Sequence, residues 1–66
     1  MDKSKLIKRI IEMFEKNKDE EFGKNFLTRL LGVNEIRNSK HLKQLLINKD
    51  LDILLFLVQE TEASFD

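Results

Sequence analysis

Six apolar residues in a row, Ile53 to Val58, stand near the end of a chain of only 66 residues. No other stretch constrains the fold as much. A chain of this length buries about 60% of the surface its unfolded form exposes, so one small core must absorb most of the run. Cores this small are reinforced by disulfides, by a structural metal or by association with another chain. Cysteine is absent and His41 is the one histidine, which removes disulfides and thiolate zinc sites. Association is the reinforcement left open.

A short apolar run can be a buried strand or part of a buried helix. Leucine dominates this one, only Ile53 and Val58 in it are β-branched, and acidic residues flank it. Those features predict a helix, with Asp50 as its cap. At about 100° per residue, Leu51, Ile53, Leu54, Leu57 and Val58 form a broad inward surface. Asp52 and Gln59 mark the outside, and Leu55 and Phe56 flank that polar strip. Either the acidic tail or the third helix covers these two, or they exceed what a small core can cover and form an exposed apolar patch, which on a small protein marks a contact site. Phe65 falls in an acidic tail that is expected to fray.

The remaining chain also sorts into helices. From Lys3 to Lys18, Leu6, Ile7, Ile10, Ile11 and Phe14 fall within roughly 140° of arc, with Met13 on the margin. Lys5, Lys8, Arg9, Glu12, Glu15 and Lys16 take the other side. Lys8–Glu12 and Glu12–Lys16 have the spacing of helical ion pairs, while the basic first turn opposes the helix dipole. A second helix, capped by Asn17 or Asp19, carries Phe22, Phe26, Leu27, Leu30 and Leu31. Asn17 precedes Glu20 at capping-box spacing. Gly23 interrupts the apolar half, either because the helix begins just before it or because a neighbouring backbone approaches closely. Gly32 ends this helix in a left-handed conformation, with Val33 folding back on Leu27. The stretch "VNEIRNS" connects to a third helix, capped by Asn38 or Ser39, with Leu42, Leu45 and Leu46 on a narrow stripe. "NKD" separates it from the apolar segment.

Proline is absent and glycine occurs twice, so the turn punctuation of an all-β protein is missing. The expected fold is one all-α domain over residues 1–66: a compact bundle of three to four short helices with the C-terminal helix central. No apolar stretch reaches the roughly 18 residues of a membrane span. The first residues contain no uninterrupted apolar region or small-residue cleavage site, so no secretory signal is expected. A cytoplasmic protein follows. Usage rich in Lys, Asn, Ile and Leu suits a low-GC bacterium or its phage.

Charge is balanced overall but not along the chain. Residues 1–18 carry +3, residues 19–49 carry +2 and residues 50–66 carry −5, the last with no basic residue. Either these ends face each other or they offer a basic and an acidic surface to partners.

Catalytic, cofactor and metal chemistry find no foothold. His41 has no second ligand at useful spacing. The pairs Glu12/Glu15 and Glu20/Glu21 lie on solvent faces. Counted from Asp50, a calcium loop would need glycine and glutamate where Leu55 and Thr61 stand. Ser4, Ser39 and Ser64 sit in no nucleophile elbow, and no glycine-rich loop could hold phosphate. A ligand pocket of several hundred Å³ is not expected in so small a chain. Residues 34–49 invite a helix-turn-helix reading, with Arg37, Lys40, Lys43 and Lys49 as phosphate contacts. However, a start after Val33 puts Asn38 and His41 at positions that should be buried, and a start at Ser39 stretches the connector beyond the usual three or four residues.

The expected function is therefore a small non-catalytic protein-interaction module, binding a larger protein or forming a homodimer. Asp52, Leu55, Phe56 and Gln59 form its contact surface, and Lys5, Lys8 and Arg9 form a basic second site. Neither a cofactor, a membrane nor a small-molecule substrate is expected. A nucleic-acid-binding regulator is the alternative.

Overall fold

The computed structural model describes residues 2–17 and 21–65, the side chains of residues 21–24 and 65 excepted. Four helices follow in order: α1 (Lys3–Asn17), α2 (Glu21–Leu31), α3 (Ser39–Ile47) and α4 (Leu51–Phe65). No strand occurs among the described residues. Local chemistry accounts for the boundaries. Asp2 begins α1: its carbonyl accepts from Leu6 N–H, and its carboxylate accepts from Ser4 N–H at 3.1 Å. Asn17 closes the same helix by donating its side-chain amide to the Met13 carbonyl at 2.8 Å. Asn17 is thus part of α1, and the anticipated Asn17–Glu20 capping box involves Glu20, which lies outside the described residues. The Asp19 alternative lies outside the described residues.

At the end of α2, Gly32 adopts φ +70°. Gly32 N–H bonds the Arg29 carbonyl and Val33 N–H bonds the Thr28 carbonyl, the paired bonds of a Schellman motif. The connector then runs over residues 32–38 before Asn38 caps α3, its side chain accepting from His41 N–H at 2.8 Å. Seven residues replace the tight turn of a helix-turn-helix. Asp50 stands at the start of α4, where its carbonyl accepts from Leu54 N–H. The described part of α2 contains Gly23; where the helix begins and what packs against Gly23 lie outside the described residues.

One core joins all four helices. Leu6, Ile7, Ile10 and Phe14 from α1 meet Leu27 from α2, Leu42 and Leu46 from α3, and Leu54 and Leu57 from α4. Met13, expected on the margin, is buried. The most extensive packing is α1 against α4, and α1 also packs against α3 and α2. The C-terminal helix is thus central, a position it shares with α1. No buried side-chain nitrogen or oxygen lacks a partner among the described residues.

Three expectations change. The predicted Lys8–Glu12 and Glu12–Lys16 pairs do not close; the ion pairs among described residues are Arg9–Glu62 and Arg37–Glu35. Exposed pairs gain little against side-chain entropy and screening, which is why spacing alone does not make them. The basic first turn of α1 has a structural use, because Lys3 Nζ donates to the Ile47 carbonyl at the C-terminal end of α3, where a cation is favoured. Finally, α4 stays helical through Phe65 rather than fraying. Thr61 is fully buried and Glu62 is bonded to Arg9, so the last turns are anchored on α1.

Candidate protein-binding surface

The buried side of α4 is a stripe of Leu54, Leu57 and Thr61, flanked by the half-buried Leu51, Leu55 and Val58. These residues span roughly 160° of the helix circumference. Thr61 was not anticipated in the core, since a hydroxyl suggests an outward residue. It can be buried because its Oγ1 donates to the Leu57 carbonyl at 2.6 Å, so no polar group is stranded.

Outside that arc the apolar run continues into solvent. Phe56 is 50% exposed and Ile53 44% exposed. Ile53 was expected inward. It stands roughly 40° beyond Leu57, past the buried arc of α4. Leu55 moves the other way: it packs against the core cluster and contributes less to the surface than expected. Ile53 and Phe56, one turn apart, therefore form the exposed apolar ridge. Asp52, Gln59 and Glu60 are exposed beside it. The expected surface keeps Phe56, Asp52 and Gln59, gains Ile53, and retains Leu55 as a half-buried flank.

The expected basic site divides. Arg9 turns towards α4, where its Nε donates to Glu62 Oε1 at 3.1 Å; here the basic and acidic ends of the chain do face each other. Lys5 and Lys8 instead line a groove between α1 and α3 of about 800 Å³. It is a surface groove open to solvent and not the enclosed ligand pocket that a chain this small is not expected to form. It arises because Ile7 and Ile11 on α1 and Ile47 on α3 line it, and Ile47 is 51% exposed. Lys43 lines it from α3, with Glu12 and Glu15 further along α1. Most lining residues are exposed, so this is an open groove.

Groups able to act on a substrate are not gathered in either place. His41 Nδ1 accepts from Arg37 N–H at 3.1 Å, which occupies that lone pair. No cluster of three or more His, Cys, Asp or Glu side chains suited to a metal occurs among the described residues. No helix among them is long and apolar enough to cross a membrane. Neither a family model, a curated protein nor a solved structure matches this chain.

Proposed function

We propose that this protein is a small non-catalytic interaction module that binds another protein through the outer face of α4. One observation carries the reading: Ile53 and Phe56 are half-exposed on a helix whose opposite face is buried in the core. Leaving two large apolar side chains in water forgoes burial worth about 1.5–3 kcal/mol each when complete. Their neighbours Asp52 and Gln59 give the patch a polar rim, the common make-up of a protein contact. The seven-residue connector before α3 weakens the nucleic-acid alternative, as does zero net charge, because phosphate neutralisation supplies most non-specific affinity.

A photo-crosslinking phenylalanine analogue at position 56 tests the reading in native lysate. A defined protein adduct should form there and should be absent when the analogue replaces Gln44, an exposed residue on α3. Equal adduct patterns at both positions would remove α4 as the contact surface.

A further inference from the structure

The large apolar residues exposed among the described ones are Ile47, Ile53 and Phe56. They fall on two separate surfaces. Ile53 and Phe56 make the α4 ridge, whereas Ile47 lies in the α1–α3 groove, which no α4 residue lines. The ridge is edged by Asp52 and Glu60, and residues 50–66 contain no basic side chain. The groove is edged by Lys5, Lys8 and Lys43. None of these five residues forms an ion pair with another described residue. Lys3 reaches the Ile47 carbonyl, so the Ile47 end of the groove sets Lys3, Lys5, Lys8 and Lys43 against the single carboxylate of Asp2. Glu12 lies about 10 Å further along α1 than Lys5.

We infer that the chain associates head-to-tail, the acidic-rimmed Ile53–Phe56 ridge of one copy seating at the basic, Ile47 end of the α1–α3 groove of the next. This names the occupant of the α4 surface and rests on the reading of that surface given above. Two features select this arrangement over a two-fold α4–α4 dimer. Residues 50–66 are acidic without exception among their charged members, so pairing α4 with itself brings two acidic segments together and offers no basic residue of that segment to either. Such juxtaposition is strongly disfavoured. The groove supplies the opposite charge and a further exposed isoleucine. Because ridge and groove are different surfaces, each copy can use both at once, and the contact is heterologous: it propagates into an open chain or closes into a ring. Paired exposed charges at the rim make it sensitive to salt.

Complementation between variants tests the arrangement. Phe56→Asp removes the ridge but keeps the groove; Lys8→Glu combined with Lys43→Glu does the reverse. All three positions are exposed, and circular dichroism would verify that each variant folds. By analytical ultracentrifugation, the natural chain should grow past a dimer as concentration rises, and should dissociate with added salt. Each variant alone should associate about tenfold more weakly or not at all, as like charges at the contact require. Mixing the two should restore one intact contact and yield a dimer of one copy of each. A natural chain that stays monomeric at every concentration overturns the inference while leaving the α4 surface to the crosslinking test. A natural chain that stops at a dimer, with no complementation on mixing, also overturns it. Association untouched by Phe56→Asp would remove both this inference and α4 as the surface of self-contact.

Discussion

Leu54 and Phe56 are two positions apart in the same apolar run and have opposite fates, one fully buried and the other half in water. Leu54→Ala should cost about 2–5 kcal/mol, through lost burial and the cavity left behind. A chain of this length has about 3–10 kcal/mol of stability in total, so thermal melting followed by circular dichroism should show a sharply lowered melting temperature for Leu54→Ala and a nearly unchanged one for Phe56→Asp. Gly32 is a second sharp position. Nothing lies within 4 Å of where its Cβ would be, yet its φ is +70°. Gly32→Ala should therefore lose roughly 1–2 kcal/mol by backbone strain alone, read as a lowered melting temperature, and Gly32→Asn should lose less. The Gly32 stop was legible from sequence because only glycine adopts that conformation easily. Ile53 and Thr61 were not legible. Their burial depends on which arc of α4 the rest of the fold covers, and residue type argues the wrong way for both.

The four helices and their order follow from apolar periodicity and turn chemistry, and the two connectors among the described residues came from particular residues: Gly32 and Asn38 around one, "NKD" in the other. What the pattern concealed was how helix ends borrow from elsewhere. Lys3 was legible only as a charge against its own helix dipole, since its partner carbonyl at Ile47 is 44 residues away. Asp2 was overlooked as a cap because basic residues follow it. Its carboxylate accepts the Ser4 N–H, and that bond holds its pKa below the ordinary carboxylate value. The sign of the pH effect follows: a carboxylate with a lowered folded pKa contributes in full above its unfolded pKa and loses the contribution as pH falls through the folded one. Acidification through and below the ordinary carboxylate range should thus loosen the first turn of α1. Amide hydrogen exchange at Ser4 should report it, and Asp2→Ala should abolish the pH dependence at that amide.

At the scale of the whole molecule, the chain balances its charge by partly segregating it, with four lysines gathered around the α1–α3 groove beside Asp2, Glu12 and Glu15 and an acidic-edged ridge on another surface. The segregation is visible in the sequence, but the groove is not, because it exists only once α1 and α3 are placed side by side. A core this small gains from association, and the uncovered Ile53–Phe56 ridge is where association has most apolar surface to bury. The chain contains no tryptophan or tyrosine, so Phe56→Trp would place a single, unobscured fluorophore on the ridge, with Leu54→Trp as its buried counterpart. In dilute solution the tryptophan at 56 should emit at long wavelength and be quenched readily by acrylamide, and raising the concentration should shift its emission to the blue and protect it. Emission at 56 already blue and protected in the dilute monomer, matching that at 54, would contradict an exposed ridge.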